Sequence, residues 1–370
     1  MALERQVIFW LGALLVFAAL LWLLSPVLLP FIAGMALAYL LDPLARFGER
    51  FGISRGISAL IVLTVVIVAV VFSVMAAAPV IATQTAAFID EMPSYIAKVR
   101  SILSDPSRPW LAKIFGGAMP TSGEQSGGAV SQGLGFVTTF LTSLYSGGRA
   151  VFSVLSLLII TPVVAFYLLV DWDRVVKTVD NWIPRHHRDT VHGLARDMDA
   201  AIAGFVRGQA VICLILAVFY AVGLTLAGLK SGFLIGLMTG LFSFIPFVGA
   251  FGGFLVAAIV AVAQFWPDWF SIGLVALVFV LGQGLEGYIL SPNLVGAKVG
   301  LHPVWLMFAL LAFGALFGFV GLLVAVPAAA AIGVLVRFGL GRYLDSTLYH
   351  GHRHILTIEP EHRQPEKHPE

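Results

Sequence analysis

Charge is scarce in this chain. Only 11% of its 370 residues are Asp, Glu, Lys or Arg, against about 25% in a typical soluble domain. That excludes an ordinary soluble protein. The formal net charge is only +2, and no basic patch interleaves with aromatics. Nucleic acid is therefore not a supported partner. Cys213 is the sole cysteine, so no intrachain disulfide can form. It sits in an apolar run and reads as a small buried hydrophobe. There is no His-Glu-x-x-His, no Walker loop, no Gly-x-Ser-x-Gly and no Asp-rich calcium loop. Catalysis and direct ATP use lack support, and no cofactor is expected. His350, His352 and His354 alternate as weak metal ligands could, but polar, Pro-rich sequence follows them, as in a disordered tail.

What the chain has in abundance is apolar length: 59% hydrophobic residues in long unbroken runs. A β-barrel would show short alternating segments, so the expectation is an all-α polytopic membrane protein with about eight spanning segments. Spans need about 20 apolar residues. The first candidates are 7–24, 26–41 and 57–78, with Ser25-Pro26 as a tight turn. Residues 1–78 would then hold three spans, the first retained rather than cleaved as a signal peptide. From 79 to 149 the chain turns polar and Gly/Ser-rich. Within it Phe88, Met92, Tyr95, Val99 and Ile102 keep helical spacing, which predicts an amphipathic helix on the membrane or against the bundle. A fourth span covers 150–170.

Residues 171–209 read differently. Trp172, Val175, Val176, Val179, Trp182 and Ile183 form one apolar stripe, which Pro184 ends; Val191, Leu194, Met198, Ile202 and Phe205 form another. Arg174, Lys177, Arg185, Arg188, Arg196 and Arg207 fill other positions. These are basic amphipathic helices, suited either to an anionic membrane surface or to a solvated hairpin. Lys/Arg-rich short loops stay inside. The 42–56 and 171–207 segments are therefore expected in the cytoplasm with both termini, and the 79–149 loop outside. Residues 341–370 form the cytoplasmic tail.

From Ala210 to Val336 only Lys230, Asp268, Glu286 and Lys298 carry charge. After a span at 210–227, residues 228–265 are apolar but broken at Ser243-Phe-Ile-Pro-Phe-Val-Gly249. After the span at 269–290, residues 300–337 repeat that character around Gly314-Ala-Leu-Phe-Gly-Phe-Val-Gly321. The two stretches align without gaps at an offset of 72, with six identities in 22 positions. Each is too long for one span and short for two. Interrupted segments at matching places in two halves point to a transporter binding site. Opposed hairpins would make an inverted repeat within the 210–340 core; single kinked helices are the other reading.

Glu286 alone lies inside a hydrophobic helix, where a carboxylate costs roughly 2.5–3.5 kcal/mol on insertion scales. Gln283 shares its face, and Gly282, Gly284 and Gly287 would admit close neighbours. Either Glu286 and Gln283 line a cavity for a proton, a cation or a solute hydroxyl, or Glu286 snorkels or pairs with Lys298 or Arg207. Asn293, Lys298 and His302 could bind a polar solute, or serve as interface residues where His302-Pro303 starts a helix. Pro246 shapes the first break, and Ser243 beside it could also touch solute. Arg207 and Gln209 snorkel or act where span five begins.

The stretches Glu286-Gly-Tyr-Ile-Leu-Ser-Pro-Asn-Leu-Val-Gly, Gly300-Leu-His-Pro-Val and Phe313 to Pro327 resemble the autoinducer-2 exporter family, or PerM-type permeases. Phe244-Ile-Pro-Phe-Val-Gly and the Phe-Tyr-Leu-Leu-Val-Asp-Trp-Asp closing span four are similar to it too. The resemblance covers essentially the whole chain. It implies a bacterial inner-membrane transporter of about eight spanning segments working as a homo-oligomer, with a pentamer among the options. It does not imply the substrate. The first functional reading is a secondary transporter exporting a small polar solute on the proton gradient; the second is a sodium (cation)/proton antiporter. A non-transporting scaffold or receptor is the third, and it needs neither the broken repeat nor Glu286.

Overall fold

The computed structural model describes residues 3–103, 147–295, 300–346 and 349, and every regular element among them is helical. α1 runs Leu3–Arg50 and α2 Arg55–Leu103. α3 covers Gly147–Asp180, and α4 Arg188–Leu226. α5 (Gly232–Phe242), α6 (Val248–Phe265) and α7 (Trp269–Gly284) follow. α7 continues as a π-helical segment, Leu285–Val295, and α8 spans Pro303–Leu344. Six stretches are long and apolar enough to cross a bilayer, and α5 is a shorter apolar helix beside them. The chain is an all-α, multi-pass membrane protein.

Three expectations about the first half change. The Ser25-Pro26 turn is absent: α1 is one helix of 48 residues, about 72 Å long and more than twice the hydrocarbon thickness. One missing N–H is a small loss against exposing a whole turn of backbone in an apolar setting. The inside placement of the N-terminus rested on that turn and loses its basis with it. α2 likewise runs unbroken through Pro79 and Pro93. The stripe at Phe88, Tyr95 and Val99 is thus the second half of a membrane helix, and it packs against the bundle: Phe88 and Tyr95 are buried in the core with Ile212, Leu216 and Tyr220. Lys230 pairs with Glu91 at 3.3 Å, and Gln84 accepts the Leu234 backbone N–H at 3.0 Å. The basic amphipathic helices are present, one as the end of α3 and one as the start of α4, joined across Asn181–His187. Most of the 79–149 loop and the histidine tail lie outside the described residues.

The second half holds the pair of hairpins. In the first, α5 and α6 lie back to back. A Cβ on Gly253 would fall 2.0 Å from Thr239 Oγ1, and one on Gly249 2.2 Å from the Ser243 nitrogen. At the open end Gln264 donates to the Gly228 carbonyl at 2.8 Å and accepts the Lys230 N–H at 2.8 Å. In the second, α8 folds back at Gly318, where φ is 59° and ψ −138°. A Cβ on Gly321 would lie 1.8 Å from the Phe313 oxygen. Arg337 Nη1 approaches the Gly300 carbonyl at 3.4 Å; on one straight helix those residues would sit about 55 Å apart. The single-helix reading therefore fails for both segments.

The repeat holds at the level of backbone to within one residue of the 72-residue offset. Gly228 (φ 75°) and Gly300 (φ 55°) open the two repeats in the same left-handed conformation. Both carbonyls accept a side chain from the return arm, Gln264 in one case and Arg337 in the other. Each tip turns at a positive φ, at Phe247 (68°) and Gly318 (59°). α7 and the π segment connect the repeats. They run antiparallel to α4: Gly223 packs on Val278, Gly282 on Tyr220, and Gly208 on Leu294. The open end of one hairpin therefore sits at the opposite end of this rod from the open end of the other, which makes the repeat inverted. The first tip packs into the second hairpin, with Ile245 and Phe244 among Leu310, Phe313, Leu322 and Val326.

Candidate functional site

Glu286 is the second residue of the π segment, in the first turn after α7 widens. It is half-buried, and Gln283 Nε2 donates to its Oε2 at 3.1 Å. The same nitrogen lies 3.5 Å from the hydroxyl of Tyr220 on α4. Tyr220 is fully buried and stacks on Phe279 with centroids 5.0 Å apart. Gly282 makes this contact possible, because a Cβ there would lie 2.5 Å from the tyrosine ring. Gly284 and Gly287 have open space where a Cβ would go, so the close approach expected of all three glycines belongs to Gly282 alone. The pairing considered between Glu286 and Arg207 is absent: Arg207 donates to the Tyr39 carbonyl at 2.8 Å and meets Asp42 at 3.4 Å. Lys298 lies outside the described residues.

The remaining expected site residues are spread out. Ser243 is buried at the first tip, its hydroxyl donating to the Thr239 carbonyl at 2.9 Å. Its own carbonyl accepts Gln209 Nε2 at 2.7 Å. Gln209 is buried, so it anchors the tip to α4 instead of snorkelling. Its spacing from Phe205, Ile212 and Leu216 on one helix face was the available signal. Pro246 is partly buried in the tip itself. Asn293 is exposed and donates to the Ile289 carbonyl at 2.7 Å, completing backbone that the π segment and Pro292 leave short. His302 caps α8, with Nδ1 accepting the Val304 N–H at 3.3 Å. So Gln283 and Glu286 come together, while Ser243 and Pro246 form a separate tip, and Asn293 and His302 serve their own helices.

A second feature was not foreseen. A cavity of about 1430 Å³ opens between α1, α3, α4 and the second arm of α8. Its rim is an ion network centred on Asp42. This carboxylate takes Arg46 at 2.9 Å, Arg55 at 3.0 Å and Arg207 at 3.4 Å, from three helices. Arg55 also meets Glu49 at 3.1 Å and donates to the Leu169 carbonyl at 2.7 Å, tying α2 to α1 and α3. Tyr39 donates to Asp199 at 2.9 Å. Outside the spans, Arg188 and then His192 hold the Asp180 carboxyl below its ordinary range at the α3–α4 connection. At the α6–α7 connection Ser271 and the Phe270 N–H do the same for Asp268, which caps α7.

Known proteins place this arrangement in a lineage. A family profile described as AI-2E family transporter matches residues 11–341. The candidate transport protein YrrI of Bacillus subtilis (strain 168) is 36% identical over 191 residues, 52% of this chain and 53% of its own length. A second one from that organism, YueF, is 27% identical over 266 residues, 70% of this chain and 69% of the relative. The candidate permease PerM of Escherichia coli (strain K12) is 26% identical over 317 residues, 84% and 87% of the two chains. The matched stretch thus spans about half of YrrI and most of PerM. The chain belongs to the AI-2E family of transporters.

Proposed function

We propose that this protein is a secondary transporter that exports a small polar solute, such as an autoinducer-2-like signalling molecule, across the bacterial inner membrane on the proton gradient. The observation that carries the reading is the inverted pair of hairpins on either end of one helix, with the single charged residue of that helix between them. Such hairpins leave unwound backbone at membrane depth, where N–H and C=O groups can meet a solute. Glu286 is the proton-coupling group, with Gln283 and Tyr220 as its hydrogen-bonding partners. Ser243 and Pro246 at the first tip, and Asn293 and His302 near the other end, supply the remaining solute contacts in this reading. Transport moves the hairpin unit against α1–α3. The basic 171–207 segment and the end of α8 face the cytoplasm, and the protein works as a homo-oligomer.

The test is a liposome assay on purified protein. Autoinducer-2 efflux under an imposed pH gradient is compared with sodium-dependent proton movement, for the wild type and Glu286→Gln. Solute efflux that the variant loses, with normal insertion, is the expected result. Equal transport by both proteins from about pH 5 to pH 9 refutes the coupling role. Proton movement that follows sodium, with no solute efflux, replaces the exporter with a cation/proton antiporter.

A further inference from the structure

The Asp42-rimmed cavity is larger than the roughly 300–1,000 Å³ of ordinary small-molecule sites, at about 1430 Å³. Its walls differ in chemistry. α1, α2 and α8 contribute Arg46, Arg50, Arg55 and Arg337, while α4 contributes Asp189, Asp197 and Asp199 as well as Arg207. Part of this charge is paired internally: Arg46, Arg55 and Arg207 all meet Asp42, and Asp199 accepts the Tyr39 hydroxyl while keeping its charge. Arg50 and Asp197 make no ion pair within 4 Å among the described residues, Asp189 lies in the field of its neighbour Arg188, and Arg337 makes a long contact to the Gly300 carbonyl. The lining as a whole carries five arginines and four aspartates, a near balance of both signs. The rest of the wall is apolar, including Met35, Phe47, Leu168, Trp172, Val334 and Phe338. It lies where the apolar runs of four helices give way to charge, the depth at which lipid headgroups sit and interfacial tryptophans are enriched.

We propose that this cavity binds a zwitterionic phospholipid of the phosphatidylethanolamine class by its headgroup. The phosphate would meet Arg50 and Arg337, as in other basic clefts between membrane helices. The ammonium would meet Asp197, with Asp189 about 12 Å away along α4 adding a longer-range attraction, and the first acyl methylenes would lie along the apolar wall. A purely anionic headgroup meets the aspartates of α4, and a cation meets the arginines; a headgroup with both charges is complementary to both sets. The occupant is a lipid because a soluble phosphoethanolamine would leave the apolar wall wet.

Native mass spectrometry of the full chain in mild detergent tests this, with phosphatidylethanolamine and phosphatidylglycerol titrated separately. The wild type is expected to retain the zwitterionic lipid in preference to the anionic one. Arg50→Gln with Arg337→Gln should lower occupancy by both lipids about tenfold or more. Arg337→Lys should restore much of it, which separates charge loss from misfolding. Asp189→Asn with Asp197→Asn should weaken only the zwitterionic lipid and shift preference toward phosphatidylglycerol. Equal retention of both lipids by the wild type, or no change in preference in the aspartate variant, overturns the proposal. So does displacement of bound lipid by soluble phosphoethanolamine at equal concentration, which would make the cavity a solute site. None of these readouts depends on transport, so they stand apart from the role of Glu286.

Discussion

Replacing Gly240 with alanine puts a methyl group where the structure has backbone. α5 carries glycine at 232, 236 and 240, and this edge lies against α4. A Cβ on Gly240 would sit 2.1 Å from the Ala217 Cα, and one on Gly236 2.3 Å from the Ala221 nitrogen. Carbon atoms pack at about 3.5–4.0 Å, so α5 would have to back away by about 1.5 Å. It cannot do so alone, because Gln209 pins its far end to α4 through the Ser243 carbonyl and Gly253 of α6 is pressed on Thr239. Overpacking of this kind costs about 1–3 kcal/mol. Alanine recovers up to about 1 kcal/mol of helix propensity over glycine; because the clash is with main chain the cost falls at the upper end of that range, for a net loss of about 2 kcal/mol. Gly252, on the same hairpin, has nothing within 4 Å of its would-be Cβ and a helical backbone. Gly252→Ala therefore keeps the propensity gain with no clash. Thermal unfolding of detergent-purified protein, followed by tryptophan fluorescence, should move the two variants in opposite directions. A second layer sharpens the test. At Gly223 only the Val278 side chain stands in the way, at 2.8 Å, so Val278→Ala should relieve Gly223→Ala. At Gly240 the obstacle is main chain, so Ala217→Gly should not relieve Gly240→Ala. Wild-type stability in Gly240→Ala, or full rescue by Ala217→Gly, refutes the packing described here.

Two further outcomes follow from the connections between helices. Arg188 and His192 lower the Asp180 pKa, so the stability this carboxylate contributes is present above its ordinary value near 3.9 and is lost as pH falls through the depressed native value. Asp180→Asn should therefore weaken the protein at neutral pH but make its stability less sensitive to acid below about pH 4; an unchanged acid limb in pH-dependent unfolding would contradict the clasp. On a Cys213→Ser background, Asp268→Cys and His187→Cys should react with impermeant thiol reagents from opposite faces of the membrane, 268 from outside and 187 from inside, and labelling of both from one face would break the hairpin topology.

Local signals carried the second half of the chain well. The offset of 72 was visible as six identities, and the structure gives its physical content: a left-handed glycine must open each hairpin, since φ near +55° to +75° is strained for residues with a Cβ. The breaks at Pro246 and Gly318 were legible because a chain in an apolar medium interrupts its helix only where something replaces the lost hydrogen bonds. Glu286 and Gln283 were legible because they sit three residues apart on one helix.

What escaped were relations between distant residues. Asp42 reads from sequence as the first residue of a polar loop. Its three arginines lie 4, 13 and 165 positions away, and nothing local predicts that Arg207 would find it. The same holds for Gln209 and the Ser243 carbonyl, 34 residues apart. Ser25-Pro26 misled for the converse reason: proline is a strong breaker in water, but in a lipid-facing helix the alternative to continuing is unpaired backbone. These omissions share a consequence for function. The sequence directs attention to one carboxylate inside an apolar helix, whereas the fold adds an ion network at the bundle's charged end, joining α1, α2 and α4 beside a cavity. α4 is common to both: it carries Tyr220 toward Gln283 and Arg207 toward Asp42, thirteen residues apart on one continuous helix. A displacement of α4 along its axis would change both contacts, because one continuous helix carries them.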